Sequence, residues 1–384
     1  MAVSPFYDPR IDFFRGMSLI FIYINHIPDN AFTYLTTRTY ALFDSAEVFT
    51  FIAGYSVALA YYSLVGRGFQ AYAVKTLRRA RTILLHHIAL VIILLSAAFM
   101  LGKYAQMMTG YEAFIETIEQ NPLKVALGLP LLAFQAPLLD ILPMWVVVML
   151  MAPFLIWLRT RGELPLLAVS GMMWMFASRF FPSIPTLTDS VPWNFNPFCW
   201  QLLFSLGLIF GWRTRTGMPP VASGDARVVL DICAAFFVLF SAVVLMTLAS
   251  QTVDDLMANR LRVMYFSLNK QTLDLWRIVG LLSSAYLVAR LISRDAAWLN
   301  LGLCRRVRAA GGASLPIFSL TVVLSFAGKF IALDLGKSIA ADGFVTLAGV
   351  AIILGAPLVW HSELAQGSFR KVVGGFRSRS VVRS

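Results

Sequence analysis

With 58% hydrophobic and 14% charged residues over 384 positions, and a mean hydropathy of +0.72, the chain is far more apolar than a soluble domain, in which about a quarter of residues are charged. This composition excludes a water-soluble enzyme and indicates an integral membrane protein. A net charge of +12 would suggest nucleic acid as the partner of a soluble protein, but basic cytoplasmic loops supply such a charge in a polytopic one.

In chain order, apolar windows of spanning length fall near 11–27, 46–65, 82–102, 141–158, 164–181, 198–213, 228–249, 273–292, 313–333 and 343–361. They predict an all-α, polytopic helical bundle of about ten transmembrane helices. Residues 1–361 read as one membrane domain and 362–384 as a basic cytoplasmic tail. The N-terminus shows neither a basic leader region nor a small-residue cleavage site, so the first window is expected to be a retained span. The stretch PLKVALGLPLLAFQAPLLD at 122–140 is apolar but broken by Pro130 and Pro137, and reads as a re-entrant or interfacial piece. Cys199, Cys233 and Cys304 lie in or beside apolar windows with no CxxC spacing, so neither a disulfide scaffold nor a metal site is expected.

Charges sort onto alternate connections. One set holds Arg67, Arg78, Arg159, Arg213 and Arg305 with their basic neighbours; the other holds Asp29, Asp44, Glu116, Asp189, Asp254 and Asp342, with few basic residues beyond Arg38, Lys103, Arg260, Arg262 and Lys270. The positive-inside rule then places both termini in the cytoplasm. No repeat of fixed period and no inverted repeat is detectable.

The first window, within the stretch DPRIDFFRGMSLIFIYINHIPDN (8–30), carries three costly groups, Asp12, Arg15 and His26. On a helix, Arg15 and His26 stand about 16 Å apart along the axis and differ by about 20° in direction, so they share a face. Leu19, Ile22 and Tyr23 complete it. Asp12 is placed to pair with Arg15 at i,i+3. Either Arg15 snorkels to the interface and Asn25-His26 simply ends the helix, or these intramembrane ionisable groups are functional. The second window, DSAEVFTFIAGYSVALAYY (44–62), opens from the same side as His26. Asp44 and Glu47 on its first turn serve as ordinary capping groups, or as the carboxylate that fixes the tautomer of His26 and raises its basicity, as a general base needs. Gly54 permits close helix approach.

These two stretches, together with LDILPMWVVVMLMAPFLIWL (139–158), NFNPFCWQLLFSLGLIFGW (194–212), LDLWRIVGLLSSAYL (273–287) and GGASLPIFSLTVVLSF (311–326), resemble the OpgC family. That family is similar to the wider membrane acyltransferase-3 group, whose first span carries a basic residue, ten others and then a histidine. The spacing of Arg15 and His26 fits. The resemblance implies a single membrane acyltransferase domain in the bacterial inner membrane. It would move a succinyl group from cytoplasmic succinyl-CoA to hydroxyls of a periplasmic glucan. No cofactor is expected to be bound permanently; the expected partners are acyl-CoA, the glucan and the bilayer, not nucleic acid, with a homodimer left open.

In that frame His26 is the general base, oriented by Glu47 or Asp44, with a covalent acyl-histidine as the variant. Arg15 is expected to hold a phosphate or the donor's carboxylate. Arg78, Arg79 and Arg81 are placed for the nucleotide phosphates, although topology alone would also put them there. Asn25, Asn196, Trp200 and Gln201 are expected at the sugar, while Trp145, Trp193 and Trp200 could equally form an interfacial belt. Arg277, deep in the eighth window, is expected to bind an anion or stabilise an oxyanion. His86, His87 and His361 are read as interfacial. The competing classes are a polytopic transporter for an anionic or sugar substrate and a non-catalytic subunit of a glucan-modifying complex.

Overall fold

The computed structural model describes residues 7–101, 112–136, 138–187, 193–218, 225–250, 268–336 and 338–360. Asp189, Asp254, Pro137, His361 and the basic tail 362–384 lie outside the described residues. Among those described the regular structure is all helical, with no strand. The α-helices are α1 (Pro9–Asn25), α2 (Thr37–Tyr40), α3 (Ser45–Val65), α4 (Phe69–Leu101), α5 (Glu112–Gln120), α6 (Pro122–Gly128) and α7 (Ile141–Arg161). They continue with α8 (Glu163–Phe180), α9 (Pro197–Thr216), α10 (Asp225–Ser250), α11 (Leu275–Leu291), α12 (Gly302–Gly312), α13 (Ser314–Asp334) and α14 (Ile339–Trp360).

Every apolar window of the sequence overlaps one long helix. Six of these, α3, α4, α7, α10, α13 and α14, are long and apolar enough to cross a membrane by length and composition. Large apolar side chains such as Ile92, Phe99, Phe176, Phe236, Phe240 and Leu347 point outward from α4, α8, α10 and α14. An apolar exterior of this extent is a surface that lipid covers.

Local chemistry sets the helix ends. Asp8 accepts the backbone N–H of Arg10 at 3.0 Å and Pro9 fills the first turn of α1, where a missing N–H costs nothing. At the other end the chain leaves α1 through Pro28 and a left-handed Asp29 (φ 54°). Gly217, at φ 71°, closes α9, a conformation glycine adopts without Cβ strain. The α4 helix begins at Phe69, well before the expected 82, and its 33 residues extend about 50 Å, beyond the roughly 30 Å of a hydrocarbon core. His87 is therefore mid-helix and fully buried, with neither ring nitrogen bonded among the described residues. That corrects its interfacial placement. His86, half-buried, bonds the Thr82 carbonyl at 2.9 Å.

The central helix is α1, which packs on α3, α12, α13 and α14. Two close crossings position it. On α12, a Cβ at Gly311 would strike the Asp12 carbonyl, and one at Gly16 would strike that of Val307. Between α3 and α9 the same constraint acts at Gly54, Gly207 and Gly211, whose missing side chains let the two backbones touch. Small residues at such crossings are what helix association without a hydrophobic driving force requires.

The charge map acquires a geometry. At one pole Arg10 donates to the Ile292 carbonyl at 2.5 Å, and Glu163 accepts from Arg159 at 2.9 Å and Arg213 at 2.6 Å. The hydrogen bonds of Arg213 hold the Glu163 carboxyl below its ordinary range, against its partial burial. The opposite pole gathers His26, Asn30, which donates to Thr346 at 2.8 Å, and Asp342, which accepts from the Ala31 N–H at 2.9 Å. The 122–140 stretch forms α6 and then irregular chain through left-handed Leu132 and Leu138, with Phe134, Ala136 and Leu139 buried. Non-helical backbone of this kind is tolerated in a membrane protein where protein surrounds it.

Because the α3–α9 backbones are already in contact, Gly207→Leu is expected to cost at least about 1–3 kcal/mol, the usual range for overpacking. Thermal unfolding in detergent checks this; an unchanged midpoint would show that the crossing has slack.

Candidate functional site

Arg15 turns into the bundle. Its guanidinium donates to Ser56 Oγ on α3 at 2.5 Å, to the Gly311 carbonyl at 3.4 Å and to Asp12 at 3.3 Å. The pairing with Asp12 is as expected from i,i+3 spacing, and the contact with Ser56 replaces snorkelling. Arg15 also bounds a cavity of about 300 Å³ whose walls include Arg79, Ser56, Ile22, Ile141 and Trp145, a volume at the lower end for small-molecule sites. A second cavity of about 280 Å³, bounded by Tyr7, Asp8, Asp12 and Arg215, shares Ser56 and Ala60 with the first. The Arg15–Ser56 bond stands between the two. Together they lead from the basic pole into the bundle.

Of the three basic residues predicted on the α4 side, Arg79 alone lines the cavity; Arg78 and Arg81 are exposed outside it. Arg79 makes no hydrogen bond or ion pair among the described residues, and its side chain remains exposed at the cavity mouth. Lys75 lies over the ring of Tyr61, another wall of the cavity, 4.4 Å from its centroid.

At the far end of α1, His26 Nδ1 lies 2.6 Å from the carbonyl of Ile22. A carbonyl only accepts, so Nδ1 carries the hydrogen and Nε2 of the neutral ring is left as the basic nitrogen. Nε2 makes no hydrogen bond among the described residues. His26 is not itself a wall of the 300 Å³ cavity, but Ile22, one turn before it, is. Asp140, Lys270 and Asp44 are the charged groups that act on the imidazole. Next to it, Asn25 accepts from Thr36 Oγ1 at 2.8 Å.

The carboxylates expected to orient His26 are used elsewhere. Glu47, fully buried, takes the Arg277 guanidinium on Oε1 at 2.5 Å and accepts the Asp44 N–H on Oε2 at 3.0 Å. Asp44 in turn accepts the Ala46 N–H at 2.8 Å, closing a capping box at the start of α3, and pairs with Lys270 at 2.5 Å. Burial alone would raise the Asp44 carboxyl, but the Lys270 and Arg277 charges outweigh it and hold the group below the ordinary range. The orienting group of His26 is thus its own helix carbonyl. Arg277 likewise pairs with Glu47.

Three of the residues expected at the sugar have internal partners. Asn196, Trp200 and Gln201 are all fully buried. Asn196 accepts the Phe198 N–H at 3.0 Å and donates to the Phe181 carbonyl at 2.6 Å. Trp200 donates to the Lys270 carbonyl at 3.0 Å, and Gln201 to that of Ser170 at 2.9 Å. Their polar atoms hold the 269–273 loop and α8 in place. Trp145 and Trp193 are also buried, so these tryptophans form no lipid-facing belt. Sequence reasoning missed Asp140, which bonds Asn194 at 2.6 Å; its only signal was an acidic residue opening an apolar window.

Long apolar helices packed around a cavity are those of a helical membrane protein. A family model described as OpgC protein matches residues 7–363, and the chain belongs to the OpgC family. No curated protein and no solved structure matches. Membership supports a glucan-modifying, acyltransferase-like role at the level of the family.

Breaking the buried ion pair by Glu47→Ala should cost about 3–5 kcal/mol, because Arg277 loses its closest counter-charge and keeps Asp44 only at 3.9 Å, and replacing both partners by apolar residues should recover much of it. Unfolding curves of the single and double variants read this. A stable Glu47→Ala that has lost turnover would instead return Glu47 to the chemistry.

Proposed function

We propose that the protein is a membrane O-acyltransferase that moves a succinyl group from cytoplasmic succinyl-CoA to hydroxyls of a periplasmic glucan, in the bacterial inner membrane. In this reading all ten long helices cross the bilayer and both termini are cytoplasmic. The observation that carries it is the line along α1: Arg15 and Arg79 at the basic-pole end of a cavity, and His26 with its tautomer set by Ile22 beyond the other end. A thioester on a long thin arm fits such a route, with guanidinium groups at the entrance suited to the donor's phosphates.

His26 Nε2 accepts the proton of the sugar hydroxyl as its oxygen attacks the thioester carbonyl. The tetrahedral intermediate then collapses, the C–S bond breaks, and the imidazolium returns the proton to the departing CoA thiolate. One ester and one free thiol result, and the histidine ends as it began. Throughout, Nδ1–H stays on the Ile22 carbonyl, so the ring does not need to reorient between the two proton transfers.

Purified protein in nanodiscs, given labelled succinyl-CoA and glucan, should yield ester-linked succinate. His26→Ala should lower that rate by about 10²–10⁴, or about 3–5 kcal/mol. Equal transfer by variant and parent would remove His26 from the reaction.

A further inference from the structure

Beyond His26, the pole opposite the basic one carries a polar cluster that the proton transfer does not use. Asp140 occupies the N-cap position of α7 but makes no capping bond to that helix, although capping is the usual use of an aspartate there. Its Oδ2 instead accepts from Asn194 Nδ2 at 2.6 Å, joining the start of α7 to the segment that leads into α9. Its Oδ1 has no hydrogen bond among the described residues. Asn194 is exposed. Beside it, Trp193 is buried and its indole N–H meets no acceptor among the described residues, a costly state for a buried donor in the absence of a ligand.

The cluster has a defined place. Ile141, directly after Asp140, and Ile22, whose carbonyl fixes His26, are both walls of the 300 Å³ cavity. Asp140 is one of three charged groups, with Lys270 and Asp44, whose fields reach the imidazole. The carboxylate and amide therefore stand at the far end of the donor route, on the side of His26.

We infer that Asp140 and Asn194 form the acceptor subsite, which binds neighbouring hydroxyls of an uncharged sugar and brings one of them to His26 Nε2. This rests on the transferase reading above. A carboxylate accepts from two hydroxyls at once, and an amide offers both a donor and an acceptor, which is the pattern that adjacent sugar hydroxyls present. The negative charge of Asp140 disfavours an anionic acceptor, so the subsite selects a glucan segment that has not yet been acylated.

The test uses full-length protein in nanodiscs, with Asp140→Asn and Asn194→Ala. Binding of labelled glucan is measured by equilibrium dialysis without donor, glucan KM is measured with donor saturating, and succinyl-CoA affinity is read on the same samples. Each variant should weaken glucan binding and raise glucan KM by about tenfold or more, the size expected for losing one hydrogen bond to a charged or amide group, with a much smaller change in succinyl-CoA affinity. Asn194→Ala keeps the test decisive if Asp140→Asn does not fold. Unchanged glucan affinity in the folded variants, or equal loss of affinity for both ligands, overturns the assignment. If the parent protein binds glucan through these residues but transfers nothing to it, the transferase reading falls and the subsite stands.

Discussion

The buried pair of Glu47 and Arg277 is the constraint on which the rest of the site depends. A carboxylate with no exposure to solvent is tolerable only when its charge is matched and its lone pairs are filled. Arg277 supplies the charge and the Asp44 N–H fills the second oxygen. In doing so the pair fixes the start of α3 against α11. Asp44, held by Lys270, extends the clamp to the 269–273 loop, whose carbonyls in turn receive Trp200. The polar residues of this pole that look most like chemistry in one dimension are mainly its scaffold.

Relieved of carboxylate help, His26 draws its orientation from within α1. A backbone carbonyl one turn back is a rigid acceptor, and the glycine crossings at Gly16 and Gly311 hold that helix in a single position against α12. Arg15 is held at the other end of the same helix by Ser56 and Asp12. In the proposed reading, donor entry and proton transfer would thereby sit on one stiff element, which would keep their separation constant.

The sequence revealed those features that depend on periodicity alone. Spanning length predicted every long helix among the described residues, and the i,i+3 spacing of Asp12 and Arg15 predicted their ion pair. The approach permitted by Gly54 is realised against Phe204 and Leu208. What depends on three-dimensional pairing was not legible. Asn196, Trp200 and Gln201 have the chemistry of a sugar site, but their partners are backbone carbonyls from distant segments, which no local pattern marks. Helix α12 was hidden because its buried stripe of Val307, Ala310 and Gly311 is narrow and lies among arginines, and α4 extends upstream of its apolar window because Arg78, Arg79 and Arg81 are themselves good helix formers. Asp140 stands before an apolar window in no pattern that marks it, and the structure shows that its side chain makes no capping bond.

The central claim is that the donor enters at Arg15 and Arg79 and presents its acyl carbonyl to Nε2 of His26. The most direct measurement is a cryo-EM structure in nanodiscs with a thioether analogue of succinyl-CoA that resists transfer. The claim predicts phosphate density against Arg15 and Arg79, the pantetheine arm in the cavity beside Ile22 and Trp145, and the acyl carbon within reach of His26 Nε2. Nucleotide density at the opposite pole, or an acyl group lodged away from His26 with the cavity empty, would contradict it.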